Sequence, residues 1–167
     1  GAAWAFDRIC KTPGKIGILV GNHRYRNQET EGNGFRSYFR EHGDGFVLLE
    51  PLSTFESGAI AREMTENLLA EHPYLKGLFI SGGRMSGALA TLKHSDRGDQ
   101  IITVGYELME TTKAGLMEGT LTMVISHPLQ RLARETISAM IRAKSAGGSA
   151  AIQNILLPFD IHTPENL

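Results

Sequence analysis

The chain has little cysteine, little net charge and no long apolar run. Cys10 is the only cysteine among 167 residues, which excludes a disulfide framework. The formal net charge is −1, from 17 basic and 18 acidic residues, so this chain by itself lacks the basic surface that grips nucleic acid. No apolar run approaches the roughly 20 residues that span a bilayer, and the first residues lack the basic head and apolar core of a secretory signal. The composition predicts one globular domain without a membrane partner.

Catalytic, metal and nucleotide motifs are also missing. The stretch FISGGRMSGALATL (79–92) has glycines at 82 and 87 with P-loop spacing, but Ala88 and Leu89 stand where a P-loop needs Lys and Ser or Thr. There is no G-x-S-x-G elbow and no H-E-x-x-H helix. Ser126 and His127 cannot act as nucleophile and base, because neighbours on a strand point to opposite faces. We therefore expect no enzyme activity, no metal and no cofactor.

What the sequence does contain is a nearly unbroken alternation of strands and helices. The predicted strands are 15–20, 46–52, 75–80, 100–106 and 120–126, with a last extended segment at 152–161. The predicted helices are 2–11, 28–42, 57–71, 108–117 and 128–144, with one more from the glycine corner to about residue 92. This order predicts an α/β fold, a doubly wound, mainly parallel Rossmann-like sheet with helices on both faces.

Polar and aromatic residues follow the ends of the predicted strands. Because ligands bind beyond the carboxyl ends of parallel strands, we expect these residues to share one rim. The rim would hold Arg24, Tyr25, Arg26, Phe55, Arg84, Glu107, Ser126 and His127. Cations, a carboxylate and aromatic rings suit a small polar molecule such as a sugar.

Several alternatives stay open along this rim. The glycine corner is either a tight strand-to-helix turn in which Gly87 permits contact between helix and strand, or a set of backbone N–H groups facing a ligand oxygen. Phe55 either stacks on a sugar ring or packs in the core. Arg24 and Arg26 are ligand contacts or solvated charges, and His127 is interpreted as a turn or capping residue.

The ordered segments resemble the effector-binding part of the LacI/GalR family of bacterial repressors, over essentially the whole chain. The resemblance is carried by KIGILVGNHRYRNQETEGNGFRSYF (15–39), LFISGGRMSGALATL (78–92), ITVGYELME (102–110), TLTMVISHPLQRLARETISAMI (120–141) and DIHTPENL (160–167). It implies one lobe of a periplasmic-binding-protein-like fold, with residues 1–126 as the C-terminal effector-binding subdomain. Residues 127–150 would form a crossover helix that packs on a subdomain outside this chain, and 151–167 a terminal strand and tail.

The resemblance also implies a function and partners. The chain would bind a sugar-like effector and regulate, by closure of two lobes, a repressor that reaches operator DNA through a domain outside this chain. A cytoplasmic homodimer is expected, because the apolar stripe of the crossover helix would otherwise lack a partner. The alternative is a periplasmic solute-binding receptor of an ABC transporter, which uses the same fold.

Site residues carry over unevenly. Glu107 falls at the family's acidic ligand contact, and Gly83 with Arg84 falls at the corner where members often place Asn-Asp. Glu31 stands where many members have an effector-binding arginine, so this contact is either missing or reversed in polarity, and Arg24 or Arg26 would compensate.

Overall fold

The computed structural model describes residues 1–22, 24, 26–145 and 154–167, apart from the side chains of residues 26–29. The strands in these ranges are β1 (Lys15–Val20), β2 (Val47–Leu48), β3 (Leu52–Ser53), β4 (Leu75–Ile80), β5 (Ile102–Tyr106), β6 (Met123–Ser126) and β7 (Asp160–His162). The α-helices are α1 (Ala2–Ile9), α2 (Arg26–His42), α3 (Gly58–Glu71), α4 (Ser86–His94), α5 (Glu110–Met117) and α6 (Leu129–Ser145). None of these helices is long and apolar enough to cross a membrane.

All these strands belong to one sheet in the order β2-β1-β4-β5-β6-β7, and β3 pairs with the far end of β1. Every pairing is parallel except that of β7, which runs antiparallel to β6. The predicted α/β fold with a mainly parallel sheet is confirmed.

The core has two layers, one on each face of the sheet. On one face, Phe6 of α1 and Phe35 of α2 pack with Ile16, Phe79 and Val104. On the other face lie apolar residues of the three remaining core helices and of the strands, including Leu68, Leu89, Leu92, Leu116, Leu78 and Val124. The strands are buried by helices on both faces, which is why β1 and β4 are apolar apart from one lysine each.

The second predicted strand is divided in two. A single strand over 46–52 was expected, but β2 ends at Leu48 and β3 begins at Leu52. Pro51 lies between them, and its ring nitrogen has no hydrogen to donate to a strand ladder. The two pieces still follow β1, one beside its start and one beside its end.

The glycine corner after β4 is built for close packing. A Cβ added at Gly87 would lie 1.8 Å from the carbonyl oxygen of Gly58, so the start of α4 sits directly against the start of α3. Gly83 has a φ of +84°, and a Cβ there would lie 2.2 Å from Oγ1 of Thr54. Gly87 does permit close packing, but the expected partner is wrong, because the contact is with helix α3 and not with a strand. The alternative, in which backbone N–H groups of the corner face a ligand oxygen, stays a prediction. Ser57 caps α3 as expected, by accepting from the N–H of Ile60 at 3.4 Å.

The long helix α6 buries none of its residues. Its apolar side chains are exposed, namely Leu129, Leu132, Ile137, Met140 and Ile141. Packing of this stripe on another subdomain or on a second chain stays a prediction. The break expected at residues 146–150 lies outside the described residues, and so does the start of the extended segment 152–161, whose described end forms β7.

Candidate functional site

The candidate site lies where the parallel strands end. Strands β1, β3, β4, β5 and β6 run in one direction, so the residues that follow them meet at one edge of the sheet. We call this edge the rim. Its two halves are the side beyond β5 and β6 and the side beyond β1, β3 and β4.

Glu107 and His127 form the centre of the first half. Glu107 has a φ of 64°, a left-handed conformation in which non-glycine residues are uncommon. Its N–H donates to the carbonyl of Ile125 at 2.8 Å, and its own carbonyl accepts from the hydroxyl of Thr112 at 2.8 Å. Its carboxylate contacts Nδ1 of the His127 ring and accepts weakly from the His127 backbone N–H at 3.4 Å. Fixed at both its backbone and its carboxylate, Glu107 is held ready to accept hydrogen bonds.

Glu31 approaches this pair from α2. Its Oε2 is buried and has no hydrogen-bond partner in the described part of the chain. Burial raises the pKa of Glu31 to about 7, the nearby Glu107 carboxylate acts in the same direction, and His127 opposes them. An oxygen that is buried without a partner is costly, so this carboxyl group is poised to accept a donor from a ligand.

Aromatic rings form the floor beneath these groups. Phe79 stacks on Phe35 with ring centroids 4.4 Å apart and meets Tyr106 edge-on at 5.8 Å. Burial, followed by the nearby carboxylates of Glu31 and Glu107, raises the pKa of Tyr106 to about 12. Tyr106 therefore stays protonated in the physiological range and can donate a hydrogen bond.

A cavity of about 570 Å³ opens over this floor; we call it the rim cavity. Its lining is Gly1–Ala3, Thr30, Glu31, Gly34, Phe35, Tyr38, Phe79, Tyr106, Ile125–Pro128, Leu132, Ile155 and Leu157–Phe159. This volume is typical of sites for small molecules, and so is the mixture of apolar walls with a few polar groups.

Ser126 lies at the end of β6 and is almost fully buried. Its hydroxyl is 2.9 Å from Nε2 of His162 in β7, and it also lines the rim cavity. Ser126 and His127 thus turn to different partners, as their neighbouring positions require.

The second half of the rim is more open. Phe55 is 66% exposed with a φ of 50°, so its alternative role in core packing is excluded. Arg84 is exposed and lies against Gly58 at the start of α3. The backbone N–H of Arg24 donates to Oδ1 of Asn22 at 3.0 Å. The side chain of Arg26 lies outside the described residues, as does Tyr25.

The predicted residues therefore separate into two groups. Glu31, Glu107 and Ser126 come together around His127, whereas Phe55 and Gly83 with Arg84 lie toward the other half. His127 and Tyr106 contribute more to the site than the sequence predicted, because both line the rim cavity. The available signal was their position at the ends of β6 and β5, which is the position that selected Glu107. Among the described residues, no group of three or more His, Cys, Asp and Glu side chains could hold a metal ion.

Glu31 leads to a prediction about stability. A carboxyl group whose pKa is raised from 4.5 to about 7 by folding stabilises the fold fully below about pH 4.5, and this contribution is lost as pH rises through 7. After a discount for partial exposure, Glu31→Gln should raise the free energy of unfolding by about 1 kcal/mol at pH 8. Urea unfolding at pH 4.5 and pH 8 measures the change. Glu63→Gln, an exposed change on α3, is the control, and equal effects of Glu31→Gln at both pH values would contradict the prediction.

Comparison with known proteins identifies the family to which the chain belongs. The profile of the periplasmic binding protein domain family matches residues 2–148. The chain belongs to this family. No curated protein matches the chain.

Solved structures share the fold. A glucose-galactose binding protein, GanP, from Geobacillus stearothermophilus has a TM-score of 0.87 at 16% identity, covering 99% of this chain and 59% of that one. An ABC transporter solute-binding protein from Burkholderia graminis, in complex with D-arabinose, has a TM-score of 0.87 at 17% identity, covering 99% of this chain and 58% of that one. Another ABC transporter solute-binding protein, from Agrobacterium vitis with bound D-fucose, has a TM-score of 0.85 at 18% identity, covering 99% of this chain and 56% of that one.

The chain spans less than two thirds of the length of each of these proteins. Membership of the LacI/GalR family is not shown by these matches, although that family shares the fold. The comparisons fit the periplasmic alternative better than the repressor.

Proposed function

We propose that the chain is one lobe of a sugar-binding solute receptor of an ABC transporter, a binding protein without enzyme activity. The observation that carries the proposal is the rim cavity, which joins aromatic walls to Glu31, Tyr106 and His127 at the carboxyl ends of the strands. Carboxylates accept hydrogen bonds from sugar hydroxyls, and aromatic rings cover the C–H face of a sugar. Solved proteins of the same fold, named for sugars or bound to them, support the same ligand class.

The second lobe would come from residues outside this chain. The exposed apolar stripe of α6 is the surface that we expect to contact it, because an amphipathic helix normally buries such a face. A ligand held between two lobes loses more contact with water than one lobe alone allows. Closure around the sugar would then report occupancy to the transporter by differential affinity of the ligand for open and closed states.

The repressor remains the alternative proposal, since its ligand chemistry and fold would be the same. A cytoplasmic location, a homodimer and operator DNA belong to that alternative, whereas a transport receptor would act outside the cytoplasmic membrane. Cell fractionation of the complete gene product separates the two, because only the receptor leaves the cytoplasm.

Ligand binding itself is tested with the complete gene product and a panel of neutral hexoses and pentoses. Isothermal titration should find at least one that binds saturably. Thermal unfolding should show stabilisation of about 2.7 kcal/mol at a hundredfold excess over Kd. A matched panel of amino acids is expected to give no stabilisation. If amino acids bind and sugars do not, the proposed ligand class is wrong.

A further inference from the structure

The charges around the rim cavity are unbalanced. Among the described side chains that line it, none is a lysine or an arginine, while Glu31 lines it and has one carboxyl oxygen that is buried without a partner. The positive group among these side chains is the ring of His127 when protonated.

His127 is already engaged. Its Nδ1 contacts the carboxylate of Glu107, which lines the neighbouring cavity. When His127 is protonated, its charge is offset by Glu107 and leaves Glu31 without a full counter-charge. The negative charge of Glu107 also acts to raise the pKa of Glu31.

Two arginines of the rim do not correct this imbalance. Arg84 follows β4 and lies against Gly58, outside the lining of the rim cavity. Arg24 is exposed on the loop after β1 and is also outside the lining, and the side chain of Arg26 is not among the described residues. Of the described residues, a solute that reaches Glu31 meets a carboxyl oxygen, a phenol and a paired histidine.

Three classes of sugar can be compared at such a site. An acidic sugar would bring a carboxylate toward Glu31, which costs energy in a partly buried site. A neutral sugar offers hydroxyl hydrogens to the Glu31 oxygen. An amino sugar offers an ammonium group, and hydrogen bonds between charged groups are about twice as strong as neutral ones.

We propose that the preferred solute carries a protonated amine beside its hydroxyl groups, bound by the carboxyl group of Glu31. This inference rests on the proposed sugar-binding function and narrows its ligand class.

The test uses the complete gene product and matched sugar pairs that differ only in an amine: glucose with glucosamine, galactose with galactosamine, and mannose with mannosamine. Glucuronate and galacturonate represent the acidic class. Titration calorimetry at pH 7 should show one amino sugar binding about tenfold or more tightly than its neutral partner, as expected for gaining a charged hydrogen bond. The acidic sugars should bind more weakly than either.

Two variants test whether Glu31 causes the preference for an amino sugar. Glu31→Gln keeps the size of the side chain but removes its charge, and it should bring the affinity ratio of amino to neutral sugar close to one. Glu63→Gln, which removes an exposed charge on α3, should keep the ratio of the natural protein. Circular dichroism confirms that the variants are folded, and the order of affinities in the natural protein does not depend on any variant.

The outcomes distinguish a failure of this inference from a failure of the proposed sugar-binding function. If a neutral or acidic sugar binds as tightly as its amine partner, the inference is wrong while sugar binding stands. The same holds if Glu31→Gln leaves the ratio unchanged. If no neutral, amino or acidic sugar binds, the proposed function is wrong and the inference falls with it.

Discussion

Replacing Gly87 by alanine is expected to lower the free energy of unfolding by about 3 kcal/mol, at the upper end of the usual cost of overpacking. The added methyl group would lie 1.8 Å from the carbonyl oxygen of Gly58 and 2.9 Å from the backbone nitrogen of Arg62. Both are backbone atoms, so no side-chain rotation relieves the clash. Helices α3 and α4 would have to move apart, and the layer that contains Leu68 and Leu89 would lose packing.

Chemical denaturation monitored by circular dichroism measures this change, and Gly32→Ala is the matched control. Gly32 lies within α2, and nothing lies within 4 Å of a Cβ placed there. Alanine at Gly32 should therefore stabilise the chain, by up to about 1 kcal/mol, through its higher helix propensity. Equal effects of the two substitutions would show that the helices are not in the contact described.

Replacing Glu107 by glutamine is expected to weaken binding of the sugar ligand roughly tenfold, through the histidine that Glu107 contacts. The carboxylate of Glu107 contacts Nδ1 of His127, and His127 lines the rim cavity. The substitution keeps the size of the side chain but removes the charge opposite His127, so the histidine ring is less well oriented toward the ligand.

Titration of the complete gene product with its best-binding sugar measures this loss. Glu110→Gln is the control, because Glu110 lies three residues further along the chain with its side chain almost fully exposed and paired only with Lys113 in the described part of the chain. We expect this control to change affinity by less than threefold, in line with the small effect of exposed ion pairs. Similar losses for the two variants would place the ligand away from Glu107.

The parts of the fold that the sequence predicts best are those set by local pattern. The runs KIGILV and LKGLFI match β1 and β4 residue for residue, since strands buried on both faces need continuous apolar residues. Ser57 marks the start of α3 because a serine side chain can accept from a backbone N–H that the helix leaves free. The division at Pro51 was missed, although proline is the residue that most strongly interrupts a strand.

The candidate site is only partly predictable in the same way. The sheet topology places Glu107 and His127 at one edge, and a pattern of strands is enough to infer this. The approach of Glu31 depends on how α2 is rotated, which is set by Phe35 packing on Phe79 from a distant strand. The burial of the Glu31 oxygen, and the shift in its pKa, follow from that rotation and from no local motif.

The two outermost strands of the sheet have a consequence for how copies of the chain can meet. On one side the sheet ends in β2 with two residues, and on the other in β7 with three, among them Asp160 and His162. Outer strands as short as these offer few free backbone groups for a neighbouring molecule to extend the sheet. Aggregation through the edges of the sheet is therefore disfavoured. We expect any association between copies to use side chains on the helices.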